Sequence, residues 1–161
     1  MNSMVSPSRR KRGGLGWTIS SLGSAQTGQP FSVLLGADPS GIGDFIDFPD
    51  RPNQLRANPV VGKVNEWFDP SAFASPKLGY VGTASRTPVV GPKFVQFDAS
   101  LAKAFKTSES TNLQFRADMF NIANHANFGL PNSNLSSPQV GAISATVGVP
   151  REVQFSLKFT F

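Results

Sequence analysis

The last eleven residues, Arg-Glu-Val-Gln-Phe-Ser-Leu-Lys-Phe-Thr-Phe at positions 151–161, are the stretch that decides the fold. Side chains of a β-strand point alternately to its two faces. In this stretch one face would be wholly apolar, formed by Val153, Phe155, Leu157, Phe159 and Phe161. The other face would be wholly polar, formed by Glu152, Gln154, Ser156, Lys158 and Thr160. A tilted strand crosses a bilayer in about 9–11 residues, so the pattern predicts a membrane-spanning strand.

The overall composition agrees with a membrane protein built from strands. Charged residues make up 16% of the 161 residues, against about 25% in typical soluble domains. The 15 glycines and 13 prolines indicate many turns and long loops. The sequence contains no apolar run long enough for a transmembrane helix. Barrel strands are not excluded by that criterion, because their signal is alternation over about ten residues.

Charge and cysteine content exclude several classes of function. Four positive charges of the net +5 are clustered at residues 9–12. No aromatic residue is interleaved with them, so we expect a disordered basic leader over residues 1–14 and no nucleic-acid partner. No continuous apolar segment follows the cluster, as a working signal peptide would require. The absence of cysteine excludes disulfides, cysteine zinc sites and thiol chemistry.

Alternation predicts three further long strands. The first covers residues 15–35 and is interrupted near Gly28, because the sequence Gly28-Gln-Pro30 cannot continue a regular ladder. The second covers residues 94–106 and the third residues 111–125. In the third strand two apolar residues are adjacent at 119–120, which indicates a bulge or the end of the membrane zone.

The connections between these strands differ strongly in length. Residues 107–110 form a short polar turn, whereas residues 36–93 and 126–150 are long and rich in Gly, Pro, Asn and Ser. A short strand or helical turn is expected within the first of them, at residues 66–68. Outer-membrane barrels have short periplasmic turns and long outer loops, so we expect both chain ends on the periplasmic side. The predicted fold class is all-β: an antiparallel transmembrane β-barrel segment of about four long strands with two long outer loops, an incomplete barrel.

Charged side chains on the predicted strands are candidates for the lumen or the membrane interface. Asp98, Arg116 and Asp118 fall on the polar face, and we expect them to form a lumen ion-pair cluster with a cross-strand ion pair. Lys103 falls on the apolar face, three residues before the short turn. Its ammonium group is expected to reach the interface by snorkelling.

Several motifs, in this order and spacing, resemble the C-terminal end of TonB-dependent, Oar-like outer-membrane receptors. The resemblance is strongest to receptors of acidobacterial type with a carboxypeptidase-regulatory-like N-terminal domain. It covers nearly all of residues 15–161, the predicted barrel domain. Its motifs are Gly16-Trp17, Thr27-Gly-Gln-Pro-Phe31, Trp67-Phe-Asp-Pro-Ser-Ala-Phe73, Phe97-Asp-Ala-Ser-Leu101, Leu113-Gln-Phe-Arg-Ala-Asp-Met-Phe-Asn121, Asn124-His-Ala-Asn-Phe-Gly129, Asn134-Leu-Ser-Ser-Pro138, Pro150-Arg151 and the terminal strand.

The resemblance implies a barrel of about 22 strands, of which this sequence has room for about four. It also implies an N-terminal plug and a TonB-binding segment, neither of which is found here. The expected function is therefore that of a C-terminal barrel portion, which anchors and closes the barrel and is not transport-competent alone. Expected partners are outer-membrane lipid, the rest of the parent barrel and, only through the missing N-terminal parts, TonB. The family's terminal signal for the barrel assembly machinery maps onto Phe155, Leu157, Phe159 and Phe161.

No pattern of residues indicates an enzyme, a cofactor or a metal centre. His125 is the only histidine, and neither a nucleophile elbow nor a phosphate-binding loop occurs. The acidic loop that contains Asp38, Asp44, Asp47 and Asp50 could hold calcium, but its spacing does not match an EF-hand. A solvated loop is the alternative interpretation.

Two other classes of protein remain open from the sequence. A soluble all-β interaction module, such as a sandwich, is compatible with short turns and frequent Gly and Pro. Two sheets would then have to cover each other's apolar faces. A nucleic-acid binder would depend on residues 9–12.

Overall fold

The computed structural model describes residues 16–43, 50–107 and 110–161 of the chain. The predicted basic leader over residues 1–14 lies outside this part. The described residues form strands and one short 3-10 helix, Pro70–Ala72. In chain order the strands are β1 (Trp17–Gln26), β2 (Pro30–Phe31), β3 (Asn53–Gln54), β4 (Val60–Lys63), β5 (Glu66–Phe68), β6 (Phe73–Ala74), β7 (Val89–Val90), β8 (Phe94–Lys106), β9 (Asn112–Phe120), β10 (Asn127–Phe128), β11 (Thr146–Val147) and β12 (Glu152–Thr160).

Four long strands form one antiparallel sheet in the order β1-β8-β9-β12. Each pairs with its neighbour in regular register, for example Ile19 with Leu101, Leu101 with Ala117, and Ala117 with Phe155. The sheet is open, with β1 and β12 at its two edges. The predicted fold class, an all-β incomplete barrel segment, is confirmed. Among the described residues, no helix is long and apolar enough to cross a membrane.

The first strand is shorter than predicted. β1 ends at Gln26, and Pro30 and Phe31 pair with β7 in a separate two-stranded sheet. A single strand over residues 15–35 is therefore wrong. At the break, the backbone carbonyl oxygen of Gly91 lies only 1.8 Å from where a Cβ on Gly28 would stand. Only glycine permits this approach, and the chain leaves the sheet there.

The third strand also ends earlier than predicted. β9 stops at Phe120, and the next residue, Asn121, has a φ of 45°. Asn124 follows with a φ of 50°. A left-handed residue cannot continue a strand, and asparagine is one of the few residues that adopt this conformation at low cost. The adjacent apolar pair at 119–120 thus marks the end of the strand and not a bulge within it.

Both long connections leave the sheet at the same end. Gln26 is paired with Phe94, and Phe120 with Glu152, so residues 27–93 and 121–151 begin and end at one edge of the ladder. The short connection lies at the opposite end, where the Thr107 N–H donates to the Thr111 carbonyl at 3.0 Å. Residues 108 and 109 are not among those described. The predicted contrast between short and long connections is confirmed.

Residues 27–93 and 128–146 form a second compact unit with a core of its own. Its short strands pair as β2-β7, β3-β6 and β4-β5. A parallel bridge between Leu34 and Asn134 joins its two chain segments. Residues 66–68, for which a strand or helical turn was expected, form β5. The core of this unit consists of the buried apolar residues Phe31, Val33, Phe68, Ala72, Phe73, Ala84 and Val89.

Aromatic packing organises this core. The Phe68 ring is fully buried and lies 6.0 Å from the ring of Phe31 and 5.9 Å from that of Phe73, the latter edge-on. Asp69 caps the 3-10 helix by accepting a hydrogen bond from the Ser71 N–H at 2.8 Å, and contacts with Ser71 lower the pKa of Asp69. Sequence reasoning assigned most of this unit to loops, because the core comes from short segments with no sustained periodicity.

Candidate functional site: the two faces of the sheet

One face of the four-stranded sheet is apolar across all four strands, apart from Ser21 and Lys103. Every second residue of each strand lies on it, and the pairing aligns these residues in rows. One complete row contains Ile19, Leu101, Ala117 and Phe155. Ile19 and Phe155 are 63% and 67% exposed. An exposed apolar surface of this extent would promote aggregation in water, whereas it is the usual surface of a protein in contact with lipid.

The predicted terminal signal residues belong to this face or directly follow it. Phe155, Leu157 and Phe159 lie on β12 and are exposed, and Phe161 follows the strand at 93% exposure. The Phe155 ring stacks on that of Phe115 at 6.0 Å, and the Phe159 and Phe161 rings are 6.2 Å apart. The strand therefore presents a continuous row of large side chains to its surroundings.

The opposite face is mainly polar, with Leu22 and Phe120 among its apolar members, and contains an ion pair. The Arg116 Nε donates to both carboxylate oxygens of Asp118, at 2.9 and 2.8 Å. Both residues lie on β9, so the pair runs along the strand. In the same row as Asp118 lie Ser100 and Ser20. The Arg116 side chain is half exposed, and an ion pair of this kind contributes little to stability.

Asp98 does not join this ion pair, so the expected cross-strand pairing is wrong. Its carboxylate accepts hydrogen bonds from the Gln96 side-chain amide at 3.0 and 3.1 Å and from the Asn121 N–H at 2.9 Å. Within the described residues the ion pairs are Arg116–Asp118 and Arg56–Asp69, and neither includes Asp98. The three predicted residues line one open cavity on the polar face, but their side chains bond differently: Arg116 and Asp118 form a pair on β9, and Asp98 binds the segment that leaves the sheet.

The segment that follows β9 is held by two buried asparagines, Asn121 and Asn127, which the sequence analysis did not identify. The Asn121 side chain donates to the carbonyls of His125 and Val149, at 3.0 and 3.1 Å, and accepts from the His125 N–H at 3.0 Å. Asn127 bonds both backbone groups of Val95, at 2.8 and 2.9 Å. The repeated asparagines at residues 121–127 were a signal that could have indicated this arrangement, since asparagine tolerates left-handed turns and bonds to backbone.

His125, the only histidine of the chain, bonds to the Asn121 side chain through its backbone N–H and carbonyl groups. Among the described residues, no group of three or more His, Asp or Glu side chains is placed to hold a metal ion. Calcium binding was considered above for the acidic loop, of which Asp38 and Asp50 lie within the described residues. Asp44 and Asp47 lie outside the described residues.

Within the described part of that loop, the carboxylates bind the chain itself. Asp38 accepts from the N–H groups of Gly41, Ile42 and Gly43, at 2.7, 3.2 and 2.7 Å, and Ser40 bonds both Asp38 and Asp50. The Gly43 N–H contributes most to lowering the pKa of Asp38 below its usual range. These bonds define a closed turn.

Lys103 lies on the apolar face, as predicted. Its Nζ lies 4.5 Å from the ring centroid of Trp17 and 4.8 Å from that of Phe105. Trp17 is its partner on β1, and Phe105 follows it on the same face of β8. The ammonium group therefore lies over aromatic rings near the end of the sheet that carries the short connection.

An open antiparallel sheet with one exposed apolar face and one polar face defines a wall segment of a membrane β-barrel. Comparison with known families agrees: a model of the outer membrane beta barrel domain matches residues 11–154. Because the match spans most of the chain, the protein belongs to this family of outer-membrane barrel proteins. No curated protein and no solved structure matches the chain.

Proposed function

We propose that the chain is the C-terminal barrel portion of a TonB-dependent, Oar-like receptor, which anchors and closes a larger barrel. The observation that carries the proposal is the open sheet, whose apolar face is exposed and whose edge strands β1 and β12 each pair with only one neighbour among the described strands. Unpaired backbone groups are too costly in hydrocarbon to persist, so further strands, from the parent protein or, in a refolded preparation, from other copies of the chain, must complete the wall. The receptor motifs at residues 67–73, 113–121 and 124–129 support the choice of parent.

In this role the chain is structural and carries out no catalysis. Both of its long connections leave one end of the sheet, and the short one leaves the other. Outer-membrane barrels have their short turns on the periplasmic side. The chain ends, at β1 and β12, would then be periplasmic, and transport would require the plug and the TonB-binding segment of the parent protein.

The DNA upstream of the Met1 codon tests this proposal. The expected result is coding sequence for further alternating strands and for a plug. An intact, unrelated gene directly upstream would contradict the parent receptor while leaving the family assignment unchanged. Fractionation gives a second test: a stable monomer in the soluble fraction without detergent would favour the sandwich-like interaction module.

The terminal strand is proposed to be read by the barrel assembly machinery, and this can be tested separately. Phe161→Ser removes the terminal aromatic residue, whereas Thr160→Ala changes a neighbour on the polar face. We expect Phe161→Ser to lower the amount of chain in the outer membrane and Thr160→Ala to leave it unchanged. Equal amounts of both variants in the outer membrane would contradict this role of Phe161.

A further inference from the structure

Lys103 is the only charged residue on the apolar face of the four described strands. Its neighbours across the sheet are Trp17 on β1 and Phe115 on β9. The next row toward the short connection consists of Phe105, Leu113 and Phe159. The cation is therefore surrounded by aromatic and aliphatic side chains on the surface that faces lipid.

The position of Lys103 along the sheet locates it near one membrane boundary. It lies three residues from the last residue of β8, Lys106. A charged side chain on the lipid face of a barrel is strongly unfavourable at the bilayer midplane and tolerated near the interfaces. Aromatic residues also concentrate at these interfaces. The row of Trp17 and Lys103 therefore lies at the depth of lipid headgroups on the side of the short connection.

The charge of Lys103 has no protein counter-ion within the described residues, where neither ion pair includes it. The Lys103 Nζ lies 4.5 Å from the ring centroid of Trp17 and 4.8 Å from that of Phe105. Contact with ring faces leaves N–H donors of the ammonium group available, since lysine carries three. A phosphate group at this depth supplies both the missing charge and the missing acceptors.

We propose that Lys103, Trp17 and Phe105 form a binding site for the headgroup of an anionic phospholipid on the outer surface of the sheet. A zwitterionic headgroup carries its own ammonium group, which already compensates its phosphate. A headgroup with a net negative charge is the better complement to a single unpaired lysine. The site requires the apolar face to contact lipid and does not depend on the receptor identity proposed above.

The chain offers a built-in reporter for this site. It contains two tryptophans, and Trp67→Phe leaves Trp17 as the only one. Trp67 lies elsewhere, where its indole N–H donates to the Val90 carbonyl at 2.8 Å. The full chain with this substitution is refolded into phosphatidylcholine vesicles that contain an equal small fraction of brominated phosphatidylglycerol or brominated phosphatidylcholine. Bromine quenches tryptophan emission only at close range, so the ratio of the two quenching levels reports which lipid occupies the site.

We expect phosphatidylglycerol to be enriched beside Trp17 by up to about fivefold, the effect of one lysine at a membrane surface. Lys103→Gln should abolish the enrichment, and Lys103→Arg should retain it. Lys158→Gln is the matched control. Lys158 pairs with Gln114, one residue from the row of Lys103, but lies on the polar face. The control removes the same charge at nearly the same depth.

Equal quenching of Trp17 by the two brominated lipids would overturn the proposed site, as would an equal loss of preference in Lys158→Gln. Quenching by neither lipid would contradict the lipid exposure of the apolar face, on which the site depends. If Lys103→Gln does not insert, the preference is judged from Lys103→Arg and from the unsubstituted lysine at high salt. Retention of the full preference at high salt would then count against a charge-based site.

Discussion

The four-stranded sheet and the compact unit of residues 27–93 and 128–146 use apolar side chains in opposite ways. On the sheet, large apolar residues are exposed: Phe155 at 67% and Leu157 at 68%. In the compact unit, Phe68 and Val89 are fully buried. The same residue types therefore form an outer surface in one region and an interior in the other.

This difference shows which surroundings each region requires. Burial of apolar surface away from water stabilises a fold by about 25 cal/mol per Å². The compact unit obtains this stabilisation from its own core. The sheet cannot, because its apolar face is uncovered, and it obtains the same stabilisation only from lipid. The sheet is instead ordered by backbone ladders and by buried polar groups such as Asn121.

The largest expected effect concerns the core of the compact unit. Phe68→Ala removes a ring packed against Phe31 and Phe73, and such a substitution costs about 3–5 kcal/mol. The matched change on the sheet, Phe155→Ala, should leave the unfolding of the compact unit unchanged. The full chain is titrated with denaturant in detergent, and protease cleavage within residues 27–93 is used as the readout of unfolding. The shift of the unfolding midpoint is then compared between the two variants. Equal sensitivity of the two variants would remove the distinction between the regions.

A charge on the sheet tests the distinction between its faces. Phe155→Lys introduces a cation near the middle of the apolar face, at a cost of about 2–4 kcal/mol in a bilayer. Gln154→Lys puts the same charge on the polar face, opposite Asp118, where surface substitutions usually cost less than about 0.5 kcal/mol. The midpoint of urea-dependent folding in vesicles compares the variants. Similar midpoints would mean that the two faces have similar surroundings.

The polar anchoring of the sheet is tested at its left-handed residues. Asn121→Gly removes three side-chain hydrogen bonds while it keeps the φ of 45° accessible. Loss of buried bonds of this kind costs about 1–3 kcal/mol. Asn124→Gly is the control, because Asn124 has a similar φ but is exposed. Hydrogen exchange at the His125 amide, which donates to the Asn121 side chain, should rise only in Asn121→Gly, whereas exchange at the Val95 amide, which donates to Asn127, should change in neither variant.

The smallest effect is the pH dependence of the turn at Asp38. Its pKa is lowered by the Gly43 N–H and by further bonds to the ionised carboxylate. A lowered pKa means that the turn is fully stabilised above the ordinary aspartate value of about 3.9 and loses this stabilisation as the pH falls through the lower, folded value. Exchange of the Gly43 amide against pH measures this, and Asp38→Asn should remove the dependence. A transition above the ordinary value would contradict the lowered pKa.

Prediction from the sequence succeeded where a pattern was local. Alternation identified β8 and β12 closely, because the two faces of a strand are read from neighbouring residues. It extended the first strand past Gln26 and the third past Phe120, since both ends are set by distant groups. The break at Gly28 depends on the backbone of Gly91, and the end at Asn121 depends on bonds to Asp98, His125 and Val149.

The candidate site was foreseeable to a similar extent. The sequence assigned Lys103 to the apolar face and Arg116 and Asp118 to the polar face. It did not assign the partners, because a carboxylate such as Asp98 has several donors within reach and only the folded backbone selects among them. The aromatic rings over Lys103 likewise come from two strands whose register is set by the whole ladder.

By itself, the sequence determined that this is an all-β chain whose terminal strand has one face for lipid and one for water, because a strand's period of two is written directly into neighbouring residues. The tertiary structure decided the pairing order and the bonds of Asp98 and Asn121. It also decided that residues 27–93 and 128–146 fold around Phe68. These features join residues that are far apart in the chain, so they exist only once hydrogen bonding and packing have chosen among many competing contacts.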